Sequence, residues 1–249
     1  MEQKQILLFI FILTAISIFS ACSSSRTLLE GDSGNTGGRT ITRNQTGIYD
    51  GFGYELWKDN PVTARMILGN SGTFTCSWNS NGNNNVLFRT GRKFASRQRH
   101  EQIGNITVNY KASWSPSNTG VSYLCIYGWT QGPLIEYYIV DDWGHSNRPP
   151  GSWSDAAHKG TIEIDGGVYD IYVSRRTNKP SIEGTRSFDQ YWSVRRTKRT
   201  EGTISVSEHF KKWESLGMNM GRMFEVALTV EGFNSSGTAE ITQHILTIR

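Results

Sequence analysis

From Ile48 to its end the chain is written in short apolar and aromatic runs broken every few residues by Gly, Asn or Pro. Runs of this length with period-two alternation are strands, and a chain built almost wholly of them has to close as packed sheets. The predicted strands are 54–57, 64–68, 72–78, 86–94, 103–114, 121–129, 134–141, 160–164, 167–177, 190–196, 202–206, 223–230 and 237–246. Asn81-Gly82, Asp165-Gly166-Gly167 and Pro149-Pro150-Gly151 supply turn chemistry between them. One helix breaks the pattern, over 207–216. There Val206, Phe210, Trp213 and Leu216 share a face, Gly217 is the stop, and Ser205 with Glu208 has the form of a capping box, with Ser207 as the alternative cap. The 26 glycines and the eight Trp, ten Tyr and eleven Phe suit twisted sheets with tight turns. The fold class is therefore all-β, with two stacked antiparallel sheets arranged as a jelly roll or sandwich around one short α-helix.

Three segments are expected: 1–21, 22–46 and 47–249. Residues 6–21 form an apolar run with Ser and Thr mixed in, suited to a signal-peptide core and short for a membrane span. It ends Phe19-Ser20-Ala21-Cys22 and is followed by three serines, which resembles a bacterial lipobox. That makes Cys22 the expected lipidation site and the lipid the only expected membrane contact. The expected location is the cell envelope or surface, with simple secretion as the alternative. Residues 22–46 are rich in Ser, Gly, Thr and Asn and read as a flexible tether. The remaining 203-residue span suits a single domain, and a monomer is the default.

A formal charge of +4 with 19% charged residues gives no reason to expect a nucleic-acid partner. The densest basic run, Arg195, Arg196, Lys198 and Arg199, reads as a solvated strand edge, with contact to an anionic polysaccharide as the lesser alternative. Cys76 and Cys125 both fall in predicted strands, where they are either a disulfide or two buried thiols. The five histidines show no ligand spacing and there is no Cys-x-x-Cys, so neither a metal nor another cofactor is expected.

Two carboxylates sit where an ionised group is expensive to place. Glu136 interrupts Leu134-Ile135-Glu136-Tyr137-Tyr138-Ile139-Val140, otherwise apolar or aromatic. Alternation puts Glu136 and Tyr138 on one face, with Ile135, Tyr137 and Ile139 on the other. Glu231 closes Val226-Ala227-Leu228-Thr229-Val230-Glu231-Gly232-Phe233 and shares a face with Ala227, Thr229 and Glu225. A strand-end acid paired with a nearby Arg is the structural explanation for either one alone. Two such acids in one aromatic-rich β domain point to glycoside hydrolysis, which needs a carboxylate pair.

These residues also carry a family resemblance. Tyr127-Gly128-Trp129-Thr130 followed by Pro133-Leu134-Ile135-Glu136-Tyr137-Tyr138-Ile139-Val140-Asp141 resembles the nucleophile signature of glycoside hydrolase family 11 xylanases. Val230-Glu231-Gly232-Phe233-Asn234-Ser235-Ser236-Gly237 resembles that family's acid/base signature. Pro180-Ser181-Ile182-Glu183-Gly184 is similar to its thumb-loop tip, and Gln190-Tyr191-Trp192-Ser193-Val194-Arg195 to the strand that follows. The likeness runs from about Gly51 to the C-terminus in the family's order.

The resemblance implies a jelly roll curved around a deep cleft, with xylan and xylo-oligosaccharides as substrates. It implies an endo-acting, retaining double displacement with Glu136 as nucleophile and Glu231 as acid/base, their carboxyls about 5–5.5 Å apart. Tyr127, Trp129 and Tyr138 would lie in the cleft beside the nucleophile. Trp57 would stack on a distal xylose. Arg176 and Gln190 would contact sugar and nucleophile, and Pro180 and Ile182 would line the thumb. Two positions tune the pair by the same resemblance. One is Asn85, with Asn83 and Asn84 open because of an apparent insertion. The other is Glu225, where the family often has Tyr. An Asn beside the acid/base favours a near-neutral optimum. A non-catalytic xylan-binding jelly roll and an endoglucanase are the competing readings.

Overall fold

The computed structural model describes residues 27–29, 38–144, 148–150 and 155–249. The expected signal peptide and Cys22 lie outside the described residues. The strands in chain order begin β1 (Thr27–Leu29), β2 (Arg39–Ile41), β3 (Gln45–Tyr49), β4 (Phe52–Lys58), β5 (Thr63–Leu68), β6 (Phe74–Asn79) and β7 (Asn85–Lys93). A four-residue helix α1 (His100–Ile103) precedes β8 (Ile106–Pro116), β9 (Val121–Gln131), β10 (Ile135–Trp143), β11 (Ala157–Ile164) and β12 (Gly167–Ser181). Then come β13 (Gly184–Arg195), β14 (Glu201–Ile204), the helix α2 (Val206–Ser215), β15 (Arg222–Met223), β16 (Glu225–Phe233) and β17 (Ser236–Ile248).

They form two sheets. The seven-stranded sheet runs β14-β8-β17-β6-β5-β2, with β1 beside β17. The ten-stranded sheet runs β11-β12-β13-β10-β9-β16-β7-β4-β3, with β15 beside β9. Alternation decides what lies between them. Ile135, Tyr137 and Ile139 of β10 and Val226, Leu228 and Val230 of β16 point inward, where they meet Phe74, Val108, Tyr110 and Ile241 of the other sheet. Phe210 and Trp213 bring α2 into the same core, and Trp213 is fully buried with its indole donating to Ser193. The even-numbered partners on β10 and the odd ones on β16 are left for the opposite face, as the period of two requires.

Several details differ from the sequence reading. The sheet starts before residue 47: Arg39–Ile41 pairs with Met66–Leu68 and Ile41 is buried, so part of the expected tether is an edge strand. A single apolar residue among Ser, Gly and Thr is too faint a pattern to announce it. Most neighbours are antiparallel, but β10 and β13 run parallel, brought together by the long excursion through β11 and β12. Residue 103 ends α1 instead of opening a strand. The capping box at α2 does not form, because Ser205 gives its hydroxyl and its N–H to the Asp165 carboxylate.

The basic run is only in part a solvated edge, since Arg196 and Lys198 are exposed but Arg195 and Arg199 turn inward. Arg195 is buried over the Tyr169 ring and donates to the Gly166 carbonyl, and Arg199 pairs with the buried Asp141 at 2.7 Å. Arg196 pairs with Asp170. These acids lie on other strands, out of sight in the linear sequence. Cys76 and Cys125 are free buried thiols, one in the core between the sheets and the other on the opposite face of the ten-stranded sheet.

Candidate active site

The face of the ten-stranded sheet turned away from the core carries a second cluster of Tyr123, Tyr127, Trp129, Tyr138, Trp143, Phe188 and Trp192. Register places these side chains in cross-strand rows. Trp129, Glu136, Gln190 and Ser174 stand side by side on β9, β10, β13 and β12. Tyr127, Tyr138, Trp192 and Tyr172 form a neighbouring row, in which Tyr138 stacks on Trp192 at 4.0 Å. Farther along, Trp57, Leu87, Glu231, Tyr123 and Trp143 align across β4, β7, β16, β9 and β10. The sheet can approach this tightly because of two glycines. A Cβ on Gly128 would overlap the Glu225 carbonyl and the Tyr137 hydroxyl, and one on Gly232 would meet the Trp78 indole. Both glycines belong to the motifs that flank the two acids.

Glu136 and Glu231 are both buried here, 8% and 7% exposed, yet their surroundings differ. Glu136 is held by donors on both oxygens. Oε1 accepts from the Tyr127 hydroxyl at 2.8 Å and the Tyr138 hydroxyl at 3.2 Å, and Oε2 from Gln190 Nε2 at 2.6 Å. Each donor is itself oriented. Trp129 Nε1 donates to the Tyr127 oxygen, and Trp192 Nε1 donates to Ser174, whose hydroxyl donates to Gln190 Oε1. Burial raises the Glu136 pKa, and these hydrogen bonds with the nearby Arg176 charge oppose the rise. Glu231 accepts one hydrogen bond, from Asn85 Nδ2 to Oε1 at 3.0 Å, and its Oε2 has no partner among the described residues. Its pKa is pushed up to about 7, first by burial and then by the Glu136 charge, with Asn85, the Tyr138 hydroxyl and Arg89 opposing. Of the three asparagines left open by the sequence, Asn85 is the one that reaches Glu231.

The other named positions fall around this pair. Trp57 is half-buried against the aromatic cluster, as is Ile182 at the tip of the β12–β13 hairpin. Pro180 is exposed on that hairpin and Arg176 is half-buried at its base, opposite Phe188. Glu183 at the tip accepts from Gln131 Nε2 at 2.8 Å, which fastens the hairpin to the end of β9. Glu225 is buried and faces Arg89, Nε to Oε2 3.3 Å, while Arg89 Nη2 pairs with Glu55 at 2.9 Å. The Arg89 guanidinium also lies 4.9 Å from the Tyr127 ring centroid. Arg89 and Glu55 were not picked out from the sequence. The signal was the same as for Glu136, since Arg89 interrupts Val86-Leu87-Phe88 and Thr90 in a buried strand.

The profile of the glycosyl hydrolases family 11 matches residues 49–242. The chain belongs to that family. Among curated relatives, the family 11 chain is 57% identical over 210 residues to an endo-1,4-beta-xylanase A of Bacillus pumilus, covering 84% of this chain and 87% of that one. It is 55% identical to an endo-1,4-beta-xylanase A of Thermoclostridium stercorarium, where it spans 85% of this chain but only 31% of that longer protein. Among solved structures it resembles the family 11 xylanase from Neocallimastix patriciarum, with a TM-score of 0.75, 38% identity, and 84% and 99% of the two chains covered. The two-sheet jelly roll is thus the family's fold, and both acids stand on the face of the ten-stranded sheet turned away from the core.

Proposed function

We propose that this family 11 hydrolase is an endo-1,4-β-xylanase that cleaves internal β-1,4-xylosidic bonds with retention, with Glu136 as nucleophile and Glu231 as acid/base. The observation that carries the reading is the unequal hydrogen bonding of two buried carboxyls on one aromatic face. Three oriented donors favour the ionised form of Glu136, and a single donor leaves Glu231 protonated near neutrality.

In the first step a Glu136 oxygen bonds to the anomeric carbon as the bond to the leaving oxygen breaks, and Glu231 gives that oxygen its proton. The glycosyl-enzyme has no charge at Glu136, so the Coulombic part of the rise at Glu231 disappears. Its pKa falls, and as a carboxylate it takes a proton from the incoming water. Water adds to the anomeric carbon and Glu136 leaves as carboxylate. Trp57, Tyr127, Trp129 and Tyr138 supply sugar-stacking and hydroxyl contacts, Arg176 and Gln190 polar ones, and Pro180 and Ile182 the hairpin wall. Asn85 and Glu225 tune the pair. Xylose lacks the C6 hydroxymethyl of glucose, which a cleft closed by that hairpin excludes. Export as a Cys22-anchored envelope lipoprotein completes the proposal, supported by the apolar leader and the Ser-rich segment after Cys22.

Reducing-end release from soluble xylan by the purified chain tests the activity, beside Glu136→Gln and with carboxymethyl-cellulose as control. Release from xylan alone, lost by several orders of magnitude in the variant, is the expected result. No release from either, with both proteins folded and retained on a xylan gel, makes this a binding protein. Release from carboxymethyl-cellulose in preference makes it an endoglucanase.

A further inference from the structure

On the far side of the ten-stranded sheet from the acid pair, α1 and the end of α2 bring together His100, Glu101 and Glu214. The His100 imidazole is 1% exposed and rests edge-on against Phe210 at 5.3 Å, so its plane is fixed by the core. Its Nε2 faces Glu214 Oε2 at 3.1 Å and Glu101 Oε1 at 3.5 Å. The remaining oxygen of each carboxylate is taken by one guanidinium. Arg99 Nη2 holds Glu214 Oε1 at 2.6 Å and Arg99 Nε lies 3.6 Å from Glu101 Oε2. The Met220 N–H also donates to Glu214 Oε1. One nitrogen and one oxygen from each of two carboxylates therefore converge, within 4.8 Å of one another, while Arg99 orients both carboxylates from behind.

We propose that these three atoms form a zinc site, with His100, Glu101 and Glu214 as ligands and water in the fourth position. Zn–N and Zn–O bonds of about 2.0–2.2 Å set tetrahedral ligand–ligand edges of about 3.3 Å. The 3.1 and 3.5 Å separations at His100 bracket that value, and the edge between the two carboxylate oxygens lies within 4.8 Å, so closure on the ion falls to the exposed Glu101 side chain. An imidazole with two carboxylates suits Zn²⁺, whereas Mg²⁺ demands six oxygens. Arg99 is the outer group that fixes ligand orientation. Coordination uses the neutral imidazole lone pair, so a proton on Nε2 is released to solvent as the ion binds. The site ties α1 to α2, with Glu214 standing 114 residues from His100, which is why the histidine spacing gave no hint of it. Since it lies across the sheet from the cleft, its effect falls on stability and leaves the chemistry alone.

Zinc titration of the full chain by calorimetry and thermal unfolding, with Mg²⁺ as control, decides the matter. One equivalent of Zn²⁺ should bind saturably and raise Tm, with reversal by chelator and no Mg²⁺ response. Co²⁺ should give the visible d–d band of a tetrahedral site. Glu101→Gln, a surface change, should weaken binding about tenfold or more, His100→Gln should abolish it, and His158→Gln should leave it unchanged. Absence of saturable binding overturns the proposal, as does equal binding by wild type and Glu101→Gln. If His100→Gln fails to fold, Glu101→Gln with the Co²⁺ spectrum still gives the answer.

Discussion

At the scale of single residues, the cleft is a problem of holding charge where water is scarce. Arg89, 7% exposed, meets that problem by splitting itself between Glu55 and Glu225 and by lying over the Tyr127 ring. Its charge also holds the Glu231 pKa down. In Glu225→Gln one of the two counter-charges is gone, so Arg89 acts more strongly on Glu231. The alkaline limb of the kcat/KM–pH profile, set near 7 in the wild type, should move down by roughly half a unit. A limb that stays in place or moves up would separate Glu225 from the tuning of the pair. Glu231 itself carries a stability consequence. Its folded pKa lies above its unfolded value near 4.5, so the folded state binds more protons and stability drains away as pH rises from about 4.5 to 7. Glu231→Gln should then be inactive yet more stable than wild type at pH 8, by about 2–3 kcal/mol, in denaturant melts. A less stable variant would contradict that sign. Glu136 and Glu231 were legible because an acid in an apolar strand is conspicuous, while Arg89 and its partners, 34 and 136 positions apart, acquire meaning only once β4, β7 and β16 lie side by side.

Among the elements, α2 is the most exposed to acid. Its His209 is fully buried, and neither ring nitrogen has a hydrogen-bond partner among the described residues. Burial, with the Arg199 charge, depresses its pKa to about 3. His244 on β17 is depressed to about 4, again by burial. A histidine whose folded pKa lies below its unfolded value of about 6.5 costs stability as pH falls from 6.5, because the unfolded chain takes up the proton first. Each such unit is worth about 1.4 kcal/mol per histidine until the folded pKa is reached. His209→Leu should raise Tm slightly at pH 7 and by progressively more toward pH 4. A Tm difference that stays constant over that range would mean His209 does not set the acid limit. The periodicity of α2 was readable from Val206, Phe210 and Trp213. Ser205 is the N-cap residue as read, but the capping box was not foreseeable as absent, since the Ser205 hydroxyl is claimed by Asp165 from the β11–β12 turn.

For the molecule as a whole, the edge strands set where the folded unit begins. β2 covers the flank of β5 with Ile41, 3% exposed, and β1 lies along the stretch of β17 that β6 leaves free. A chain beginning at Gln45 gives up the burial of Ile41, worth about 2 kcal/mol, and bares the β5 edge. Its Tm should fall by about 4–8 °C relative to a chain beginning at Gly38, and equal melting of the two would show that β2 adds nothing. The amino-acid sequence by itself determined the all-β class, the inward and outward faces of β10 and β16, the helix, and the two acids. Each of these follows from local periodicity or from a charge placed against it. Only the tertiary structure decided the parallel contact of β10 with β13, the free state of Cys76 and Cys125, the Glu55–Arg89–Glu225 set and the meeting of His100 with Glu214. These depend on which strands and helices become neighbours, and that choice comes from burying one core between two sheets, a property no local stretch of sequence carries.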